Sequence, residues 1–317
     1  MPPAATRTPK IGLTLGSGSA RGWAHLGVLQ ALRDAGVQPD VVCGASVGAL
    51  VAAVYASREV DRFTDWALSL DRRKVFQFMD FRWSGGMLKG EKLMAFLRQH
   101  FTDCGIDGCH LPFAAVATDL YSGAEIWLRQ GSLVDAVRAS IALPGLFTPV
   151  AARGRWLVDG GLVNPVPVSL ARAMGADIVI AVDLNADIMR RRTAPLSLAV
   201  EEADEDASSL TSRWQKGWRP WRPTASVPPE AEAALPLAQT AAVPGSEMPS
   251  VLDVAMNSVN IMQMRITRSR LAGDPPELLI APRLAHLGLM DFHRAEEAIE
   301  AGHHAALLEL PELANFY

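Results

Sequence analysis

Short apolar runs alternate with helical patterns along residues 11–186. Three of these runs are IGLTL (11–15), DVVCG (40–44) and ADIVIAVDL (176–184), and their nearly continuous apolar character is typical of strands buried on both faces of a sheet. Alternation of this kind predicts an α/β fold with a mainly parallel central sheet and helices on its faces. Other segments expected to be regular are the strands FAAVATD (113–119) and EIWL (125–128), a helix at 132–140 and mostly helical structure over 59–101.

The composition changes sharply after residue 186. Residues 187–249 hold eight of the 21 prolines, many alanines and the acidic run EEADED, without a sustained apolar period. We therefore expect a flexible, Pro/Ala-rich insertion there. A helical pattern resumes at 250, followed by the strand LLIAP (278–282) and a helix at 292–310. Because core-forming segments return, the sequence predicts one domain over 1–317 that this insertion interrupts.

Charge and composition exclude several functional classes. The net charge of -4 gives no general attraction for nucleic acid, so we expect no nucleic-acid partner. No apolar stretch approaches the roughly 18 residues of a membrane-spanning helix, and the polar start MPPAATRTPK lacks a secretory signal, which predicts a cytoplasmic protein. Cys43, Cys104 and Cys109 form no CxxC pair, so neither a metal site nor a disulfide scaffold is expected.

The segment Gly44-Ala45-Ser46-Val47-Gly48 follows one apolar strand and opens a helix. This is the context of a nucleophile elbow, in which small neighbours permit a tight turn and the serine projects beside the positive helix end. Ser46 is therefore the candidate nucleophile. The alternative is a turn of small residues with no catalytic role, since GxSxG also occurs by chance.

A second glycine-rich turn lies between the first strand and the first helix and reads GSGSARG (16–22). Its backbone N–H groups could hold a phosphate or a reaction oxyanion. A phosphate-binding loop would need a lysine after the last glycine, and a dinucleotide fingerprint would need glycine where Arg21 stands, which favours the oxyanion. The candidate oxyanion donors are Gly16, Ser17, Gly18 and Ser19. Arg21 would orient this loop or meet a substrate phosphate, unless it is an ordinary surface or capping arginine.

Asp159-Gly160-Gly161 ends a further strand, where a fixed aspartate could meet a serine from a neighbouring strand end. Asp159 is the candidate base for Ser46, because burial raises a carboxyl pKa and makes it a better base. A Ser-His-Asp triad is the usual alternative, but none of the seven histidines lies at a strand end with turn chemistry. His25, just past the glycine loop, is favoured as a packing residue.

These segments together resemble the signature blocks of the patatin-like phospholipase family. The resemblance is carried by GSGSARGWAHLGVLQAL (16–32), GASVGAL (44–50), ASIALPGLFTPV (139–150) and DGGLVNPVPV (159–168). It implies a three-layer α/β/α patatin-like fold and a lipid acyl hydrolase without cofactor or metal. Ser46 and Asp159 would form its catalytic dyad beside an oxyanion loop. The supporting motif residues would be Arg21, Gly22, Gly44, Gly48, Gly160 and Gly161.

One departure from the family pattern is Ser17, which stands where the middle glycine of the loop is common. We expect it to be tolerated if its φ angle is not positive. Two other functions stay open at this point. One is a non-catalytic or regulatory protein on the same fold, and the other is a nucleotide-binding α/β enzyme that uses the glycine loop.

Two aromatic segments are candidates for lipid contact. VFQFMDFRW (75–83) would line an acyl groove or act as a lid, although ordinary core packing explains it more simply. RWQKGWRPWR (213–222), inside the insertion, places Trp214, Trp218 and Trp221 among four basic residues. This composition suits peripheral contact with an anionic membrane at its inner face, and equally a tract that docks on the protein itself.

Overall fold

The computed structural model describes residues 8–78, 90–100, 105–187 and 251–316. Its strands are β1 (Ile11–Leu15), β2 (Val41–Ala45), β3 (Phe113–Asp119), β4 (Glu125–Leu128), β5 (Val150–Ala152), β6 (Arg155–Asp159), β7 (Ile178–Val182) and β8 (Leu278–Ile280). The helices are α1 (Ala24–Asp34), α2 (Val47–Ala56), α3 (Val60–Leu68), α4 (Arg72–Phe78), α5 (Glu91–His100), α6 (Leu133–Ser140), α7 (Val168–Ala173), α8 (Val251–Gly273) and α9 (Ala295–Glu309).

The strands form one mixed sheet with the order β5-β6-β3-β2-β1-β7-β8, and β4 pairs with β3. Neighbours from β3 to β8 along this order are parallel, whereas β4, β5 and β6 pair in antiparallel fashion. Every residue of β1, β2, β3 and β7 is buried, because helices cover both faces of this part of the sheet. The prediction of a mainly parallel sheet is therefore confirmed.

Alternate side chains of the central strands point into two separate cores. Leu13, Leu15 and Ile180 pack with α1, α2 and α9 on one face of the sheet. Cys43 and Val179 pack with α7 on the other face. Two helical layers therefore enclose the sheet, which confirms the three-layer α/β/α architecture.

Most differences from the sequence predictions lie at the ends of elements. The predicted strands 113–119 and 125–128 have the bounds of β3 and β4, and the helix predicted over 292–310 is α9, which is shorter. The first helix begins only at Ala24, because a 3₁₀ turn (Ser19–Trp23) precedes it. The three-residue strand β5 was not predicted. Residues 188–250 lie outside the described residues, so the interrupted single domain stays a prediction.

Candidate active site

Ser46 occupies the turn between β2 and α2. Its φ of 56° and ψ of -127° form a backbone conformation that non-glycine residues rarely adopt. A serine held in such a strained strand-to-helix turn is the mark of a nucleophile elbow. The strain shows that the surrounding structure imposes this conformation on Ser46.

Close backbone approach explains the glycines of this turn. A Cβ atom on Gly48 would lie 2.0 Å from the carbonyl oxygen of Leu15, and one on Gly44 would lie 2.4 Å from the Gly48 carbonyl. Both contacts are with backbone atoms, which cannot rotate away. At every supporting glycine, an added Cβ would lie within 3 Å of a neighbouring atom. These glycines are Gly22, Gly44, Gly48, Gly160 and Gly161.

Asp159, the last residue of β6, lies against Ser46. The Ser46 Oγ donates a hydrogen bond of 2.5 Å to Asp159 Oδ2, and the Gly161 N–H donates one of 2.7 Å to Asp159 Oδ1. The carboxyl group is fully buried, and this burial raises its pKa to about 7 against the lowering effect of the two hydrogen bonds. The two residues that are 113 positions apart in the chain thus form one hydrogen-bonded pair.

Ser140, at the end of α6, also supports the elbow. Its Oγ accepts a hydrogen bond of 2.9 Å from the Ser46 N–H and donates one of 2.6 Å to the Val116 carbonyl oxygen. The side chain is completely buried. Ser140 therefore ties the strained amide of Ser46 to β3.

The glycine-rich loop follows β1 and faces the elbow. The N–H of Gly16 donates to the Val182 carbonyl oxygen at 3.0 Å, and the N–H of Ser17 donates to that of Pro165 at 2.9 Å. The prediction that these two amides serve as oxyanion donors is therefore corrected, since the fold already uses them. The amides of Gly18 and Ser19 have no acceptor among the described residues.

The side chains of the loop are anchored as well. Ser17 Oγ donates to Gln263 Oε1 of α8 at 3.0 Å, and Ser19 Oγ donates to the Leu289 carbonyl oxygen at 2.6 Å. Ser17 does not have a positive φ, so its departure from the family pattern causes no backbone strain. Ser19 does adopt positive φ, at 53°.

Arg21 is buried behind the loop. Its Nη1 donates to Asn185 Oδ1 at 2.9 Å, and Asn185 Nδ2 donates to the Ser17 carbonyl oxygen at 3.1 Å. Burial lowers the pKa of Arg21 to about 10, opposed by the charges of Asp187 and Asp183. The alternative of a surface arginine is wrong. Arg21 instead orients the loop through Asn185.

His25 also belongs to the support of the loop. Its Nε2 lies 2.8 Å from the Gly16 carbonyl oxygen, and complete burial lowers its pKa to about 4. The ring is therefore neutral near pH 7, and its Nε2 carries the proton because a carbonyl oxygen can only accept. This contact agrees with the packing role favoured for His25.

An open cleft leads to Ser46. Gly18, Ser19, Asn260 and Gln263 supply its polar lining beside the serine. The rest of the lining is apolar and comes from α2, α5, the segment after α6, α8 and the segment before α9: Val47, Leu50, Leu93, Ile141, Leu143, Leu146, Phe147, Met256, Val259, Leu289 and Phe292. An apolar pocket with a few convergent polar groups is the usual form of a small-molecule site.

The sequence reasoning did not identify Ser140, Asn185 or Gln263. For Gln263 a signal existed, because Asn260, Gln263 and Thr267 recur at helical spacing on α8 and all three are buried. Polar residues on a buried helix face indicate partners, which here include the loop. The roles of Ser140 and Asn185 depend on contacts with distant segments and left no such pattern.

The predicted lipid-contact segments are only partly described. Val75 and Phe78 line a second apolar pocket next to the cleft, while residues 79–83 lie outside the described residues. Trp214, Trp218 and Trp221 also lie outside them, so their membrane contact stays a prediction. Among the helices that the structure describes, none has the length and apolar character needed to cross a membrane.

Comparison with known proteins places this chain in a family. A family model described as patatin-like phospholipase matches residues 13–172. An uncharacterized NTE family protein of Mycobacterium tuberculosis is 33% identical over 338 aligned positions, which cover 95% of this chain and 92% of that protein. Patatin-like phospholipase domain-containing protein 6 of Homo sapiens is 34% identical over 245 positions, which cover 74% of this chain but 17% of that protein.

Among solved structures, VipD from Legionella pneumophila is similar with a TM-score of 0.37 and 16% identity, over 56% of this chain and 50% of that one. That likeness is too low to carry an argument. The family model and the mycobacterial relative agree with the resemblance seen in the sequence blocks, and they confirm it. This chain belongs to the patatin-like phospholipase family.

Proposed function

We propose that this chain hydrolyses the carboxylic esters of lipids, with Ser46 as the nucleophile and Asp159 as its general base. Membership of the patatin-like phospholipase family supports a lipid hydrolase in general. The finer assignment rests on one observation, the 2.5 Å hydrogen bond from Ser46 Oγ to Asp159 Oδ2 at the end of a largely apolar cleft.

In the first step, Asp159 accepts the hydroxyl proton as Ser46 Oγ attacks the acyl carbon. The N–H groups of Gly18 and Ser19 are the available donors for the oxyanion of the tetrahedral intermediate, and the positive end of α2 adds to their effect. When the intermediate collapses, the alcohol leaves with the proton from Asp159. The acyl group is then bonded to Ser46 Oγ.

In the second step, a water molecule attacks the acyl carbon and gives its proton to Asp159. Collapse of this intermediate releases the fatty acid and returns the proton to Ser46 Oγ. A base with a pKa of about 7 suits both steps near neutral pH, because it is substantially ionised and still accepts a proton readily.

The test is labelling by a fluorophosphonate probe together with hydrolysis of a p-nitrophenyl ester. We expect Ser46→Ala to abolish labelling and to lower kcat by about ten-thousandfold or more, and Asp159→Asn to lower kcat by about a thousandfold or more. Ser57→Ala and Asp61→Asn are matched controls, because both residues lie outside the cleft and its supports, and we expect both to keep wild-type rates.

A Ser46→Ala variant that still hydrolyses the ester would exclude this mechanism. A correctly folded wild-type chain that neither takes up the probe nor hydrolyses any ester would favour the alternative of a non-catalytic protein on the same fold.

A further inference from the structure

A second apolar chamber adjoins the cleft that leads to Ser46. We call it the outer chamber. It shares half of its lining with the serine cleft: Val47, Leu50, Leu93, Leu146, Phe147 and Phe292. The residues that line only the outer chamber are Trp23, Trp66, Leu70, Val75, Phe78 and Met290. The two spaces are therefore neighbours, and we call the route from Ser46 through the cleft toward the outer chamber the path.

The lining of the outer chamber offers no charged side chain among the described residues. The indole N–H of Trp23 is already bonded to the Phe292 carbonyl oxygen at 3.0 Å. A concave apolar surface of this kind is unfavourable in water and gains free energy when an apolar chain fills it. Asn260, Gln263 and the other polar lining residues belong to the serine cleft and not to the outer chamber.

Aromatic packing keeps the outer chamber open. Trp66 lies 5.9 Å from Trp23, 5.8 Å from Phe78 and 5.1 Å from Phe96, measured between ring centroids. Mutual contacts of this kind fix the rings of α3, α4 and α5 against each other. The rings therefore form a wall that cannot easily collapse into the space.

We infer that the outer chamber holds the distal part of a long acyl chain, and that Leu93 and Val75 measure the chain at successive distances from Ser46. This inference rests on the proposed function, because Ser46 defines the start of the path. Leu93 lines both spaces and so limits where a chain passes from the cleft, whereas Val75 lines only the outer chamber. A larger side chain at position 93 should therefore hinder the binding of shorter acyl chains than a larger side chain at position 75.

The test compares p-nitrophenyl butyrate, octanoate and palmitate. Each buried methylene changes kcat/KM by about fourfold, so loss of several methylene contacts is readily measured. We expect Val75→Trp to lower the palmitate-to-butyrate ratio of kcat/KM at least about tenfold and the octanoate-to-butyrate ratio much less. Leu93→Trp should lower both ratios.

Gln77→Trp is the matched control. Gln77 lies on the same helix α4, is exposed and does not line the chamber, so the same added side chain should leave both ratios at the wild-type values. Ratios that stay unchanged in folded Val75→Trp and Leu93→Trp variants would overturn the inference, as would an equal loss for all three esters.

A binding measurement separates the path from the chemistry. Palmitic acid carrying bromine near its terminal methyl group quenches the fluorescence of tryptophans that it contacts. We expect such quenching in the full chain, and we expect Trp66→Phe to reduce the quenched fraction, whereas Trp127→Phe, on the exposed face of β4, should not. Quenching that depends on Trp66, without ester turnover, would support acyl-chain binding in the outer chamber and contradict catalysis by Ser46 and Asp159. Ester turnover without such quenching would support catalysis and contradict acyl-chain binding in the outer chamber.

Discussion

The two glycine-rich turns that meet at the site are alike in sequence but are held in different ways. The loop of residues 16–19 is anchored through its polar groups, with bonds to two other strand-end segments and to α8. The elbow of residues 44–48 is crowded more closely than the loop, since a Cβ on Gly48 would lie 2.0 Å from a main-chain oxygen, against 2.6 Å for one on Gly16. Ser140 adds one hydrogen bond to the elbow. The loop lines the cleft with Gly18 and Ser19, and the elbow lines it with Ser46 and Val47.

This difference shows that glycine serves the elbow by being small and not by being flexible. The positive φ of the elbow falls on Ser46, a residue for which it is strained, and not on Gly44 or Gly48. Packing at the two glycines therefore supports a conformation that the serine would not adopt by itself. In the loop, hydrogen bonds from Gly16, Ser17 and Ser19 add to the close packing of its glycines.

Replacement of Gly48 by alanine is the strongest way to break this contrast. The added methyl group would meet the carbonyl oxygens of Leu15 at 2.0 Å and Gly16 at 2.6 Å, both of them backbone atoms. We expect Gly48→Ala to lower the free energy of unfolding by at least about 4 kcal/mol, with loss of fluorophosphonate labelling.

Gly273→Ala provides the control in the same measurement by chemical denaturation. A Cβ at Gly273 meets no atom within 4 Å, so we expect little change. A Gly48→Ala variant with the stability and labelling of the wild type would show that crowding does not hold the elbow.

The pH dependence of the rate separates the turns in another way. In the proposed mechanism Ser46 of the elbow acts with the titrating group Asp159, whereas the backbone amides of the loop do not titrate. Because burial raises the pKa of Asp159 to about 7 and the mechanism needs its carboxylate form, kcat/KM for a butyrate ester should fall about tenfold per pH unit below about pH 7. A profile that is flat between about pH 5 and about pH 8 would contradict Asp159 as the base.

The same group makes stability depend on pH with a defined sign. The raised pKa of Asp159 means that the folded state favours the protonated carboxyl, so this contribution to stability is complete below about pH 4 and is lost as pH rises through about 7. It amounts to about 4 kcal/mol for a shift from 3.8 to about 7. The free energy of unfolding of the Asp159→Asn variant should not show this decline. Chemical denaturation of the wild type and of the variant at a series of pH values measures the difference.

Local patterns were sufficient to predict the sheet class and the turns that carry Ser46 and Asp159. Continuous apolar runs predicted β1, β2 and β7, because strands covered on both faces need no polar alternation. Short β5 was missed because three residues carry no period. The 3₁₀ turn before α1 was missed because its apolar residues fit a helical pattern equally well.

The choice of Gly18 and Ser19 as the proposed oxyanion donors needed the tertiary structure, as did the residues that support the loop. A loop sequence does not show which of its amides are already bonded, and Gly16 and Ser17 use theirs to bind Val182 and Pro165. Likewise, Asn185 contacts Ser17 across 168 positions of chain. These hydrogen-bond partners depend on which strand ends are neighbours in the sheet, and a local sequence pattern does not contain that information.

Ser140 offers the finest test of how the elbow is held, because its hydroxyl is the one side-chain donor or acceptor bonded to the Ser46 amide among the described residues. Ser140→Ala leaves that N–H and the Val116 carbonyl oxygen without this partner, and we expect a loss of about 1–3 kcal/mol in unfolding free energy and about tenfold in kcat.

Ser132→Ala, at the other end of α6, is the control and removes a hydroxyl that caps the helix by accepting from the Asp135 N–H. It should lower stability by about 1 kcal/mol without changing kcat. The comparison is the loss of kcat relative to the loss of unfolding free energy in each variant. If this ratio were the same for Ser140→Ala and Ser132→Ala, Ser140 would only stabilise α6. Crowding by the glycines alone would then orient Ser46.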